Sequence, residues 1–243
     1  MKVGILGDIH ANLEALNVCL KKLVKEEGCD YVMATGDIVG YGPQPKECIE
    51  RLIDLDIQSV RGNHDEYTLQ NTPLFSINPH ARYVIEWTRN ELEEKHLEYL
   101  RKLPDVIDAK DFAINHASNC RAPRWTYVLD NVTAKANFEH QSHRVCFNGH
   151  THVPLVIFED PNNNVDITAF RDMTLNPQMR YLINVGSVGQ PRDRRSEACT
   201  ATYDTDSNEL KIFREKYDIK IIQDLMRQKE FPERLITRLE EGR

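Results

Sequence analysis

Short apolar runs alternate along the first half of the chain with stretches whose apolar positions recur every three to four residues. Residues 2–6 are the first run and end at Gly7-Asp8-Ile9-His10. Leu13, Leu16, Leu20, Leu23 and Val24 follow at helical spacing, with Asn12 as N-cap and Gly28 as the stop. Strand, polar loop, helix is the opening of a βαβ unit. Residues 31–35 predict the next strand, ending at Gly36-Asp37. Gly40-Tyr41-Gly42-Pro43, read as a structural turn, leads to a helix over residues 45–55 with Pro45 in its first turn. Residues 57–60 predict a third strand, and the cluster Arg61-Gly62-Asn63-His64-Asp65 is placed on the loop where it ends.

Residues 68–78 read as a surface loop and 79–103 as largely helical, with the charged stretch 91–96 as a solvated face or a helix break. A hairpin over 106–109 and 112–115 runs into His116, followed by a loop bearing Arg121, Arg124, Trp125 and Tyr127. After a short helix near 133–138, the strand 145–148 ends at Gly149-His150-Thr151-His152. Strands are expected over 153–159, 165–170 and 181–185, the last leading into Gly186-Ser187-Val188-Gly189-Gln190-Pro191-Arg192. A hairpin over 200–203 and 210–213 and two amphipathic helices, 219–228 and 232–239, complete the pattern. No repeat or linker interrupts it, so residues 1–243 read as one domain. Alternation in the first half and hairpins in the second predict an α/β fold of two packed sheets with helices outside.

Composition narrows the function. A chain of 243 residues can bury a substantial core. A net charge of -7 and a pI near 5.7 argue against a nonspecific nucleic-acid binder, and no stable nucleic-acid complex is expected. No stretch reads as a signal peptide or membrane span. The six cysteines include no C-x-x-C pair, which points to reduced thiols in a cytoplasmic protein.

The polar loops at strand ends carry the chemistry: Asp8 and His10, Asp37, Asn63 and His64, His116, and His150 and His152. Alternate residues of an extended segment point the same way, so both members of Asp-x-His and of His-x-His reach one centre. Taken singly, each is more often a loop cap or a satisfied histidine; their joint recurrence at successive strand ends is what points to a site. Imidazoles, carboxylates and an amide oxygen without thiolate suit Mn, Fe, Zn, Co or Ni. The donors outnumber what one ion needs, and Asp37 is placed to bridge two. Two metals about 3.5–4 Å apart serve in-line displacement at phosphorus.

In this order, Gly-Asp-x-His, Gly-Asp, Gly-Asn-His-Asp, a lone His and Gly-His-x-His resemble the calcineurin-like metallophosphoesterases over most of the chain. The loop from Asn184 to Arg192 and the tail Phe231-Pro232-Glu233-Arg234-Leu235 look like a compact bacterial and archaeal, phosphodiesterase-like branch. The resemblance implies a four-layer α/β/β/α sandwich of two mixed sheets. It implies one metal on Asp8, His10, Asp37 and His152, and a second on Asp37, Asn63, His116 and His150. It assigns catalysis to His64, by protonating the leaving oxygen or stabilising the transition state, and to Asp65, by orienting its neighbours. The sequence departs from the branch at Arg194 and Arg195, where a Gly and an acid are usual, and at Asn115 and Ala117 beside the lone His.

Arg121, Arg124 and Arg192 are the candidate substrate-binding residues, since a guanidinium grips phosphate in bidentate fashion, and Trp125 or Tyr127 can stack on a base. Arg194 and Arg195 read as surface charge. The expected function is hydrolysis of phosphate esters by in-line attack of a metal-bridging hydroxide. Phosphodiesters or dinucleoside polyphosphates come first, and phosphomonoesters, including phosphoproteins, are the alternative. Manganese is the expected ion, with Fe, Ni, Zn or Co as alternatives, and the expected partner is a small phosphorylated substrate, with no membrane. A non-catalytic scaffold, as in the retromer subunit of this fold, and a purely structural zinc protein are different classes. His64 and the full ligand set weigh against the first, and the absence of cysteine ligands and the surplus of donors weigh against the second.

Overall fold

The computed structural model describes residues 1–70, 77–120 and 124–243. It opens with strand β1 (Lys2–Leu6) and helix α1 (Leu13–Leu20), where the Asn12 side chain accepts from the Ala15 N–H at 3.1 Å as N-cap. A π-helical stretch, Lys21–Glu26, prolongs α1 before Gly28 turns away with φ 62°. Strand β2 (Tyr31–Ala34), helix α2 (Pro45–Asp54) and strand β3 (Gln58–Ser59) follow. β3 is shorter than the expected strand because the Arg61 N–H leaves the ladder for the Pro104 carbonyl at 2.8 Å.

The Gly-Asn-His-Asp cluster, expected on a loop, instead begins helix α3 (Asn63–Leu69). Asp65 closes the first turn by accepting from the Gly62 N–H at 2.9 Å. The expected surface loop over 68–78 therefore starts with helix, and residues 71–76 lie outside the described residues. The long helical stretch divides into α4 (Pro79–Glu91) and α5 (Glu94–Lys102), since Leu92 and Glu93 are extended. The charged stretch at 91–96 is thus a helix break, and its His96 is buried beside Glu50 at 3.2 Å.

Strands β4 (Val106–Asp108) and β5 (Ala113–Asn115) form the expected hairpin, and helix α6 spans Asn131–His140. Then come β6 (Val145–Asn148), β7 (Leu155–Glu159), β8 (Val165–Ala169), a short β9 (Met173–Thr174) that periodicity does not reveal, and β10 (Arg180–Asn184). The long antiparallel pair β11 (Ala198–Asp204) and β12 (Glu209–Glu215) precedes helices α7 (Ile219–Gln228) and α8 (Glu233–Glu241).

The described strands form two mixed six-stranded sheets, ordered β3-β2-β1-β11-β12-β9 and β4-β5-β6-β10-β7-β8. Their inner faces meet through Val3, Ile5 and Tyr203 of the first sheet and Phe112 beside Ile114 and Phe147 of the second. Leu16, Leu20, Ile49, Leu52 and Leu100 of α1, α2 and α5 cover the outer face of the first sheet, and Ala134 and Phe138 of α6 cover that of the second. Helix, sheet, sheet, helix is the resulting layer order. Parallel pairs β1–β2–β3 in one sheet and β5–β6–β10 in the other bring their carboxyl ends to one edge, where open α/β sheets collect ligands. No helix among the described residues is long and apolar enough to cross a membrane. All six cysteines are free thiols.

Phe112 anchors the inter-sheet layer, with its ring edge-on to Phe147 at 5.7 Å and to Tyr203 at 6.3 Å. Phe112→Ala is expected to lower the unfolding free energy by about 3–5 kcal/mol, read from urea denaturation at constant m-value.

Candidate metal centre

Left-handed backbone marks the edge where the two sheets converge. Asp8, His10, Asp37, His150 and His152 all have positive φ, between 34° and 67°. Such conformations are uncommon for these residue types and persist only where the surroundings enforce them. The glycines beside them make room. A Cβ on Gly62 would collide with the Asp37 carboxylate and backbone, and one on Gly149 with the Asp8 carboxylate.

Two groups of donors result, both buried. Asp8, His10, Asp37 and His152 form one, and Asp37, His116 and His150 the other. Asp37 belongs to both: its Oδ2 lies 3.6 Å from His10 Nε2 and 3.4 Å from His116 Nε2. Its Oδ1 accepts from the His64 N–H at 2.8 Å, which fixes the carboxylate plane. Asn63 joins the second group through its Oδ1, 2.9 Å from His116 Nε2.

The imidazoles are aimed by main-chain carbonyls. His10 Nδ1 faces Val39 O at 3.0 Å, His116 Nδ1 faces Thr35 O at 2.7 Å, and His152 Nδ1 faces Gln190 O at 2.6 Å. Each Nδ1–H is donated outward, which leaves Nε2 toward the centre; this backing is typical of metal-ligating histidine. His150 is held the other way, with Nε2 on the Trp125 carbonyl at 3.0 Å and Nδ1 left as its free nitrogen. His10 Nε2 and His152 Nε2 approach to 3.1 Å. Two lone-pair nitrogens that close, with a carboxylate on each flank, form a donor set suited to a shared cation.

Burial and neighbouring charge act differently on the members of this set. Burial holds His10 and His152 well below the usual imidazole range, and lowers His64 to about 4 and His150 to about 3, so all four rings are neutral near pH 7. Burial would lower His116 too, but the Asp37 and Asp8 carboxylates beside it push it up to about 9. Burial raises Asp8 to about 7, whereas for Asp37 the surrounding His116, His64 and His10 outweigh burial and keep it anionic.

Asp65 is fully buried and lies outside both donor groups. Its carboxylate accepts from Ile38 N at 3.0 Å, Val39 N at 3.2 Å and Gly62 N at 2.9 Å, joining the Asp37 loop to the start of α3. Ser187 braces the Asp8 loop in the same way, donating from Oγ to Asp8 O at 2.8 Å. His64 is buried with its Nδ1 unpartnered, against Gly40, and its ring lies 4.9 Å from that of His10.

Of the candidate substrate arginines, Arg192 sits near the first donor group, where its charge lowers His152 and His10. Arg124 is engaged in ion pairs with Glu66 at 2.7 Å and Asp105 at 2.8 Å and lies over the Trp125 ring. Arg121 lies outside the described residues. Arg194 is exposed and Arg195 is exposed beside Glu197, as surface charge. Tyr127 stacks on His150, with ring centroids 4.1 Å apart. Tyr41, read from sequence as part of a turn, packs against His10 at 4.7 Å and His64 at 4.5 Å. The signal for it was its position between two glycines just after the Asp37 strand end. Nothing local separates such a Tyr from an ordinary turn residue.

Comparison with known proteins shows the family. Residues 1–208 match the calcineurin-like phosphoesterase superfamily domain. The chain is 35% identical to an uncharacterized protein of Methanocaldococcus jannaschii over 99% of its own length and 98% of that protein. A metallophosphoesterase crystal structure from Sphaerobacter thermophilus is similar over 100% of both chains, with a TM-score of 0.86 and 38% identity. A more distant similarity, 29% over 129 residues, is to the symmetrical bis(5'-nucleosyl)-tetraphosphatase of Chromobacterium violaceum, covering 52% of this chain and 46% of that one. The chain therefore belongs to the calcineurin-like phosphoesterase superfamily and is a metal-dependent phosphoester hydrolase.

Proposed function

We propose that residues 1–243 form one catalytic domain, a dinuclear-metal phosphoesterase acting on phosphodiesters or dinucleoside polyphosphates. The observation that carries this reading is the placement of Asp37, a single carboxylate shared by two buried donor groups. In it, Asp8, His10, Asp37 and His152 hold one divalent cation, and Asp37, Asn63, His116 and His150 hold the other. The N/O donor set suits manganese first, with iron, nickel, zinc or cobalt as alternatives. Bound cations would polarise phosphoryl oxygens and lower the pKa of water toward neutrality.

The protein's own groups then set orientation and proton traffic. His64 is held beside the centre by its main-chain bond to Asp37 yet belongs to neither donor group, which frees its ring for the leaving oxygen. In this role the neutral ring donates a hydrogen bond as charge develops there, or a proton once the anionic substrate has raised its basicity. Asp65 keeps the Asp37 loop and α3 in register. Arg192 is the arginine best placed to take phosphoryl oxygens, and Arg124 braces Trp125. Tyr127, stacked on His150 and 47% exposed, offers its outer face to a base. The similarity to a symmetrical bis(5'-nucleosyl)-tetraphosphatase supports the dinucleoside polyphosphate side of this reading. Free thiols throughout support a cytoplasmic location.

Reconstitution with Mn, Ni, Fe and Zn separately, followed by assay of aryl diesters, aryl monoesters and a dinucleoside tetraphosphate, tests the substrate class. Diester and polyphosphate turnover is expected to dominate; turnover of monoesters alone would overturn the assignment.

Asp37→Ala is expected to release both ions and to abolish activity, whereas His152→Ala should release one. Metal analysis of the purified variants reads the difference, and an Asp37→Ala protein retaining one tightly bound ion contradicts the bridging role.

His64→Asn is expected to keep both ions and to slow alkyl ester hydrolysis by roughly 10²–10⁴-fold. Nitrophenyl esters, whose leaving group needs no proton, should lose less. Equal damage to both leaving groups, or loss of a metal, assigns His64 another role.

A further inference from the structure

Beside the donor groups, Tyr41, Tyr127, Arg192, Arg234 and Arg238 line a cavity of about 550 Å³. Two walls of this cavity are also walls of the centre: Tyr41 packs on His10 and His64, and Tyr127 on His150. The other side is helix α8, from the tail motif that the hydrolytic chemistry leaves unused. Arg192 and Arg238 approach the Tyr41 ring with guanidinium carbons 5.6 and 5.7 Å from its centroid.

The charges in this cavity are poorly balanced. Glu241 lines it too, but pairs with Arg243 at 3.4 Å. Arg192 bonds only to the Gln190 side chain, at 3.0 Å, and its Nε is buried without a partner. Arg238 donates from Nε to the Arg243 main-chain oxygen, and Arg234 is exposed. Among the described residues, none of Arg192, Arg234 and Arg238 has an aspartate or glutamate side chain within ion-pair distance. Burial, and then the nearby Arg192, bring Arg238 down to about 10. Like charges gathered here without an acidic side chain beside them gain from an anion that joins them.

We propose that α8 builds a second phosphate subsite, in which Arg238 and Arg234 grip the phosphate next to the scissile one while Arg192 spans the two. This rests on the phosphoesterase reading above and refines its substrate to molecules with adjacent phosphates. Arginine suits the task because its planar fork binds phosphate oxygens in pairs. Arg192 is the link, since its main-chain N–H donates to the His152 carbonyl at 3.2 Å while its guanidinium shares the Tyr41 ring with that of Arg238.

The test is calorimetric titration of the manganese-loaded protein with methylenediphosphonate and with methylphosphonate, neither of which has a P–O–P bond to cleave. The diphosphonate is expected to bind at least about tenfold more tightly. Arg238→Gln and Arg234→Gln should each weaken the diphosphonate by about tenfold and methylphosphonate by less than about twofold. Arg234 is exposed, so its variant reports even if Arg238→Gln fails to fold. Equal affinity of the native protein for the two ligands, equal weakening of both by the variants, or weakening of neither would overturn the subsite. Failure of the metal-loaded protein to hydrolyse any phosphate ester would instead refute the functional reading, while the affinity ratio would still decide the subsite.

Discussion

The position of the Asp37 carboxylate is the constraint around which the rest is built. It is a buried anion, and burying a charge is tolerable only where opposite charge and hydrogen bonds surround it. Here the His64 N–H holds one oxygen, and the other faces His10 and His116, one from each donor group. Those two histidines come from different sheets, from the loop after β1 and from the end of β5. For one carboxylate to meet both, the carboxyl ends of two sheets must converge within a few ångströms. The aromatic layer of Phe112, Phe147 and Tyr203 between the sheets holds that approach.

Convergence on this scale strains the loops. Ligand-bearing residues sit in left-handed conformations, and the adjacent backbone has no space for a Cβ at Gly62 or Gly149. Main-chain carbonyls and the buried Asp65 and Ser187 then pin each loop, so that few of the donor side chains choose their own direction. Such preorganisation keeps like-charged and lone-pair groups together before any ligand arrives. The same logic extends to the arginine-lined cavity, where α8 and Arg192 on the loop after β10 carry positive charge up to the edge of the centre.

Much of this was legible in the sequence. The alternation of apolar runs with helical periodicity yields β1, α1, β2 and α2 nearly to the residue, since a short apolar run bounded by Gly and Asp has few other ways to fold. Asp-x-His and His-x-His after such runs nominate Asp8, His10, His150 and His152, and Asp37 and His116 join them as single polar residues at strand ends. Local reading went astray where tertiary contact overrode it. The Gly-Asn-His-Asp cluster looks like a loop because its residues are polar, yet Asp65 closes a helical turn on Gly62. The charged stretch after Glu91, by contrast, is the helix break that is one of its two readings from sequence.

What the sequence determined by itself, then, was the set of strands, the polar residues at their ends and the class of ligand chemistry, because each depends on neighbours along the chain. Only the tertiary structure decided that Tyr41 is a wall of the site, that Arg124 is tied up with Glu66 and Asp105, and that Arg238 comes to rest over the Tyr41 ring. Each of these is a meeting of residues distant in the chain, Arg238 and Tyr41 among them. No pattern in the sequence encodes such a meeting: it follows from how two sheets pack and where the last helix comes to rest.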